Sequence, residues 1–126
     1  MSTTILKKKL DTIFSIYIRL KYADENLDVK CFTCDRVYPY KKMQNAHFWG
    51  RTHLSTRWDE ENCYPGCYGC NVAKNGNYIE YTLRLQKHLG EEAFEALERR
   101  KNQTFKPSKD WYLEKIDEYT AKVANL

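Results

Sequence analysis

The chain has 126 residues, of which 42% are hydrophobic and 30% are charged, and its formal net charge is +4. These values fit one globular domain with a modest core and exclude a disordered chain. No apolar stretch is long enough to cross a membrane, and the first residues lack the pattern of a secretory signal. The mild positive charge permits nucleic-acid binding without requiring it.

The first predicted element is an amphipathic helix over residues 4–23, in which apolar residues recur at steps of three and four. Lys7, Lys8 and Lys9 fall in its first turns, where the helix dipole disfavours cations. We interpret these lysines as a solvated face, with contact to a phosphate backbone as the alternative. The apolar positions of the helix are Leu6, Leu10, Ile13, Phe14 and Tyr17.

Five cysteines follow, and four of them form two Cys-x-x-Cys pairs, Cys31 with Cys34 and Cys67 with Cys70. An odd number of cysteines without a secretory signal predicts a reduced, cytosolic protein with a metal site. Two such pairs commonly bring four thiolates around one tetrahedral Zn²⁺, and a shell closed by four sulfurs predicts a structural ion. Cys63 lies outside both pairs and is an alternative zinc ligand to one of the four cysteines.

Short strands and loops are predicted between the two cysteine pairs. Residues 36–40 favour a short strand or turn, and residues 43–49 favour the first strand of a β-hairpin. The hairpin loop over residues 50–59 is predicted to be too polar for burial, and Asn62 begins the return. Pro65-Gly66 predicts a turn.

Helices are predicted for the remainder of the chain. One is expected to start near Asn71 and to be interrupted at residues 75–77. Three further helices are expected over residues 78–89, 91–101 and from Ser108 onwards. The sequence thus predicts a single α+β domain over residues 1–126, with an N-terminal helix in 1–30, a zinc-bound core over 31–77 and C-terminal helices over 78–126.

Polar residues between and beside the cysteine pairs are candidates for phosphodiester chemistry. His47 can accept a proton from water at neutral pH. Asn71 is fixed by the second cysteine pair and can offer its amide oxygen to a divalent ion. Asn62 can hold the segment that carries His47. Side chains that can contact phosphate are Arg51, Arg57 and Lys74.

Residues 31–77 resemble the HNH, or ββα-metal, nuclease family. The similarity extends to NinG-type recombination proteins of lambdoid phages through AHFWGR at 46–51, TRW at 56–58 and NYIEY at 77–81. The resemblance implies a hairpin and a helix that clasp one Mg²⁺ or Mn²⁺ ion, with His47 as general base, Asn62 as the middle Asn and Asn71 as a metal ligand. It also implies an endonuclease that acts on branched DNA in the cytoplasm of a bacterial host.

Ala46 departs from the HNH pattern, because Asp or His often stands there as a second metal ligand. The ion would then be held by Asn71 with waters and phosphate, or by His47 itself, and His53 becomes the second candidate base. A non-catalytic, zinc-dependent nucleic-acid-binding module and a protein-interaction module are the alternative functions. A homodimer is expected from the two-fold symmetry of junction DNA and from the apolar stripes of the first and last helices.

Overall fold

The structure is a computed structural model that describes residues 1–126. It contains five helices and two antiparallel sheets of two strands each, which confirms the predicted mixed α+β class. None of the helices combines the length and the apolar character that a membrane crossing requires. In chain order the elements are α1 (Thr3–Lys21), β1 (Asp28–Lys30), β2 (Val37–Pro39), β3 (Gln44–His47), α2 (Leu54–Arg57), β4 (Cys63–Gly66), α3 (Tyr78–Leu89), α4 (Glu91–Lys101) and α5 (Lys109–Ala124).

Helix α1 packs along α5, so the first and last helices share one core. The Ser2 and Ser108 hydroxyls cap the two helices by accepting hydrogen bonds from Ile5 N and Trp111 N. Leu6, Leu10 and Phe14 of the predicted stripe are buried, with Ile18 as a further member, and Ile13 and Tyr17 are partly buried against them. This first core consists of Leu6, Leu10, Phe14, Ile18, Trp58, Cys63, Tyr112 and Tyr119.

Strands β3 and β4 form the predicted hairpin, with Ala46 opposite Tyr64 and His47 opposite Cys63. The prediction of a turn at Pro65-Gly66 is wrong, because both residues belong to β4 and pair with β3. Pro65 is tolerated there because the other edge of this two-stranded sheet has no neighbouring strand that would need its missing N–H.

The hairpin loop is less exposed than its polar composition predicts. It contains the short helix α2, and Thr56 and Trp58 are 0% and 8% exposed. Trp58 enters the core between α1 and α5, where its ring meets Tyr112 at a centroid distance of 5.5 Å. The loop is therefore tied to the helical layer, which brings α1 beside the end of β3.

Helix α3 supports the other face of the hairpin. Tyr81 is buried, and its hydroxyl donates a hydrogen bond of 2.7 Å to the backbone oxygen of Ala46. The helix expected near Asn71 is only a π-helical turn over Gly69–Ala73, because residues 75–77 then take positive φ angles. This second core consists of Ala46, Phe48, Tyr64, Tyr81, Leu85 and Leu97.

Candidate functional site

The four cysteines of the two Cys-x-x-Cys pairs come together. Their sulfur atoms all lie within 4.8 Å of one another, and the Sγ atoms of Cys34 and Cys67 are 3.6 Å apart. Zn–S bonds of about 2.3 Å in a tetrahedral site would separate the sulfurs by about 3.8 Å. The set therefore fits one zinc ion, whereas Cys63 lies outside it in the first core. The cluster consists of Cys31, Cys34, Cys67 and Cys70.

Hydrogen-bond donors point at the sulfur atoms of this cluster. The backbone N–H of Cys67 lies 3.3 Å from Cys31 Sγ, and that of Cys70 lies 3.4 Å from Cys67 Sγ. Burial alone would raise the pKa of Cys31, but hydrogen bonds from Thr33 and Cys67 outweigh it and lower that pKa. Donors of this kind favour the thiolate, which is the form that binds a cation.

His47 stands at the end of β3 and is held by a backbone carbonyl. Its Nε2 lies 2.9 Å from the oxygen of Arg57. Because a carbonyl only accepts, Nε2 carries the proton and Nδ1 is left as the free acceptor. Burial lowers the pKa of His47 to about 4, although the hydrogen bond to Arg57 opposes this shift, so the imidazole is neutral at pH 7.

A cavity of about 620 Å³ opens beside His47. Asn71 lines the same cavity, so the structure brings together the predicted base and the predicted metal ligand. One wall comes from α1, and the opposite wall comes from β3 and the turn that follows the second cysteine pair. The other polar side chains that line it include Asp11, Ser15, Arg19, Gln44, Asn45 and Arg51.

Asn71 is fixed beside the hairpin in the π-helical turn over Gly69–Ala73. Its Nδ2 donates a hydrogen bond of 2.6 Å to Gln44 Oε1. A Cβ added at Gly66 would lie 2.8 Å from the Cβ of Ala46 and 3.6 Å from that of Asn71. The lack of a side chain at Gly66 therefore allows β4 to lie close to Ala46 of β3.

Ala46 is buried in the second core and does not line the cavity. The other three residues of β3, Gln44, Asn45 and His47, all line it. Asn45 Oδ1 is buried and accepts no hydrogen bond within the protein. The residue before His47 thus belongs to the core, and Asn45, which lines the cavity, carries a buried amide oxygen without a partner.

Asp11 of α1 fixes the segment that carries the Arg57 carbonyl. Its carboxylate accepts hydrogen bonds from Arg57 Nε at 3.1 Å, Trp58 Nε1 at 2.9 Å and Arg51 Nη2 at 2.7 Å. Burial alone would raise the pKa of Asp11, but the two guanidinium groups outweigh it and lower that pKa. The Arg57 side chain is 15% exposed, whereas Arg51 is 59% exposed and lines the cavity. Arg51 is thus the more accessible of the two arginines among the predicted phosphate contacts.

Asn62 is fully buried and holds the loop that follows His47. Its Oδ1 accepts from Trp49 N at 2.8 Å, and its Nδ2 donates to the backbone oxygens of Trp49 and Thr56 at 3.0 Å. The side chain does not line the cavity. Its hydrogen bonds thus fix the backbone on both sides of the loop, and a role for Asn62 in the reaction stays a prediction.

Comparison with known proteins assigns the chain to a family. The NinG family model, described as Bacteriophage Lambda NinG protein, matches residues 2–126. The chain belongs to the NinG family. Protein ninG of Escherichia phage 933W is 27% identical over 86 residues, which cover 63% of this chain and 39% of that protein.

Other phage members of the NinG family are similarly distant. Protein ninG of Escherichia phage lambda is 26% identical over 86 residues, with the same coverage. Protein ninG of Enterobacteria phage H19B is 37% identical over 46 residues, or 36% of this chain and 23% of that protein. The aligned part thus spans two fifths or less of these relatives. No solved structure matches.

Two residues predicted from the sequence lie away from the cavity of this NinG-family chain. His53 lines a separate cleft with Lys101 and Phe105, so it does not share the cavity with His47. Lys74 is exposed just after the π-helical turn and does not line the cavity. The geometry therefore favours His47 over His53 as the candidate base.

Sequence reasoning missed the contribution of α1 to the cavity. Asp11, Ser15 and Arg19 are spaced four residues apart and so lie along one face of the helix. This polar stripe is a signal in the sequence that could have identified the contribution of α1. Gln44 and Asn45 were also missed, although they directly precede Ala46 and His47.

Proposed function

We propose that this NinG-family chain is a metal-dependent endonuclease of the HNH type that hydrolyses DNA phosphodiester bonds. The observation that carries the proposal is the presence of His47, with Nδ1 free, and Asn71 in one cavity beside the four cysteines. The order β3, β4, cysteine-fixed turn and α3 supports a ββα arrangement. Branched DNA, as substrate, rests on the resemblance to phage recombination proteins.

In the proposed reaction His47 acts as the general base. Nδ1 takes the proton of the attacking water, and the Arg57 carbonyl stabilises the imidazolium through the Nε2–H bond. Arg51, exposed at the cavity, offsets the charge of the phosphate. Because the relatives are phage proteins, we propose that the reaction takes place in the cytoplasm of the bacterial host.

Amide oxygens are the candidate ligands for the catalytic ion. Asn71 and Gln44 line the cavity, and the buried Asn45 Oδ1 accepts no hydrogen bond from the protein. Hard, neutral oxygen donors fit Mg²⁺ or Mn²⁺. Such an ion, when bound, polarises a phosphate oxygen and stabilises the leaving oxygen. The zinc ion of the cysteine cluster is proposed to be structural, since four sulfurs leave no open position.

A zinc-dependent nucleic-acid-binding module without catalysis is the second candidate function. Ala46 favours it, because its side chain lies in the core and offers no ligand. Asp11 carries the one carboxylate that lines the cavity, and this carboxylate is already paired with Arg51 and Arg57. The two candidates predict the same DNA binding and differ in cleavage.

The deciding experiment measures cleavage of labelled duplex, flap and four-way DNA with Mg²⁺ or Mn²⁺. We expect His47→Ala to lower the cleavage rate by about 10²- to 10⁴-fold, the usual contribution of a general base. His53→Ala is the matched control, since His53 lies in a separate cleft, and it should cut as the wild type does. Zinc content is measured in all three proteins.

The outcomes separate the candidates. Loss of cleavage in His47→Ala alone, with zinc retained, supports the nuclease and identifies the preferred DNA shape. Full cleavage by His47→Ala contradicts the assigned base. Salt-sensitive DNA binding by the wild type without any cleavage favours the binding module.

A further inference from the structure

Arg19 of α1 lines the cavity and is half-buried, yet it has no carboxylate partner. Its Nε donates to Ser15 O at 3.1 Å and Ser15 Oγ at 3.2 Å, and its Nη1 donates to Tyr40 O at 3.0 Å. All of these acceptors are neutral. Because a guanidinium has five N–H donors, the Nη2 side is left without an acceptor in the protein.

The other half-buried arginines of the chain are neutralised. Arg57 is paired with Asp11, Arg84 with Asp35 and Glu80, and Arg100 with Asp59 and Glu61. A cation withdrawn from water without an opposite charge is unfavourable, so natural proteins seldom retain one without use.

The pKa shifts also distinguish the paired arginines from Arg19. A hydrogen bond from Glu80 raises the pKa of Arg84, and one from Asp59 raises that of Arg100. Burial lowers the pKa of Arg19, which nevertheless stays charged at neutral pH. Arg19 is thus a partly desolvated cation that has the Tyr40 ring at 5.8 Å but no anionic partner within the protein, so it can accept one from outside.

We propose that Arg19 forms a phosphate-binding subsite on the α1 wall of the cavity, opposite His47. The ligand is a phosphodiester group of the DNA strand, so the subsite rests on the proposed function. A planar guanidinium can donate two parallel hydrogen bonds to phosphate oxygens. Ser15 and Tyr40 hold Arg19 in place through its Nε and Nη1, which fixes the direction of the remaining donors.

The charges around the subsite suit an anion. Asp11 is the one acidic side chain on the cavity wall, and its charge is offset by Arg51 and Arg57. Arg51 lies on the same cavity, so a strand that enters it meets two guanidinium groups. Lys8 continues the stripe of Asp11 and Ser15 towards the start of α1 and is exposed there.

The test measures DNA binding by fluorescence anisotropy over a series of salt concentrations, with no divalent ion added. We expect Arg19→Gln to weaken duplex binding by about tenfold and to reduce the slope of log K against log salt by about 0.9. Arg99→Gln is the matched control, because Arg99 is exposed and unpaired on α4, which does not line the cavity. It should leave both quantities unchanged.

Two further measurements distinguish loss of the subsite from misfolding, because Arg19→Gln also removes the hydrogen bond to Tyr40. Arg19→Lys retains the charge and should retain the salt slope with weaker binding. In the wild type, the NMR signal of the Arg19 Nε–H should shift when inorganic phosphate or a short oligonucleotide is added. The absence of a shift with either probe would overturn the subsite.

Different results would contradict the proposed subsite and the proposed nuclease. If the wild type binds DNA through Arg19 but cuts none, the subsite stands and the proposed nuclease is wrong. If the wild type cuts DNA while Arg19→Gln binds and cuts like Arg99→Gln, the subsite is wrong and the nuclease stands.

Discussion

Asp11 links the N-terminal helix to the candidate site at the scale of a single residue. Four donor atoms from two arginines and a tryptophan converge on its carboxylate. One of these residues, Arg57, supplies the carbonyl that holds His47. The orientation of the imidazole therefore depends on a residue that is 36 positions earlier in the sequence.

Asp11→Asn should lower the free energy of unfolding by about 1 to 3 kcal/mol at neutral pH, because a neutral amide with one oxygen cannot accept from the four donor atoms that converge on the carboxylate. The folded-state pKa of Asp11 lies below its unfolded value of about 3.9. The carboxylate thus contributes stability above that pH and loses it as the pH falls through the folded-state pKa. Urea unfolding followed by tryptophan fluorescence measures the difference at each pH.

Asp35→Asn is the control for this experiment. Asp35 also pairs with an arginine, but its side chain is 59% exposed, so its loss should change stability by less than about 1 kcal/mol. An Asp11→Asn protein as stable as Asp35→Asn at neutral pH would contradict the role given to Asp11.

The residues that could be identified from the sequence are those whose chemistry is marked by local spacing. His47, Asn71 and the four cysteines lie in short motifs with a known geometry, and the structure brings each group together. Asp11 and Arg19 carry no such mark, because their partners come from distant elements. A single sequence contains no information on contacts between distant segments.

At the scale of elements, the cysteine cluster joins β1 and the first cysteine pair to the turn that carries Asn71. Cys67→Ser should abolish stoichiometric zinc and lower stability, because a structural zinc ion is bound only by the folded site. Cys63→Ala is the matched control, since its sulfur lies in the first core, and it should retain one zinc per chain. Metal analysis after gel filtration measures both. Loss of zinc from the Cys63→Ala protein alone would contradict this ligand set.

The turn between the cysteine cluster and α3 depends on Gly76. Its φ is +99°, and a Cβ there would overlap the ring of Tyr78, which lines the cavity. Gly76→Ala should therefore cost about 1 to 3 kcal/mol of stability. Gly50→Ala is the matched control, because nothing lies within 4 Å of the added Cβ. Thermal unfolding of both variants tests the difference, and equal losses would argue against the strained turn.

Element types were predicted better than the contacts of the central segment. The amphipathic helices α1, α3, α4 and α5 follow the spacing of their apolar residues. The hairpin loop was expected to be exposed, because Thr56 and Trp58 lie among polar residues and only tertiary packing buries them. The helix expected near Asn71 is reduced to one turn by the positive φ angles that follow it.

At the scale of the whole molecule, the apolar stripes of α1 and α5 face each other within one chain. They are therefore not available for the dimer contact that was inferred from them. The homodimer stays a prediction that rests on the resemblance and on the symmetry of junction DNA.

Leu10→Ala tests the contribution of this helix pair to the whole fold. Leu10 is 0% exposed in the first core, so its truncation should cost about 2 to 5 kcal/mol. Ile5→Ala removes a side chain of the same size that is 48% exposed, and it should cost less than about 1 kcal/mol. Chemical denaturation compares the two. Equal destabilisation would mean that α1 and α5 do not form the core described above.

The pairing of α1 with α5 also determines when the fold can be completed. The rings of Phe14 and Tyr119 meet at 4.9 Å, although they are roughly a hundred residues apart in the chain. Contacts between residues so far apart in the chain form slowly, because closing a long loop costs conformational entropy. During synthesis on the ribosome, the apolar stripe of α1 emerges well before α5 and lacks its partner helix until then, and exposed apolar surface of this kind favours aggregation.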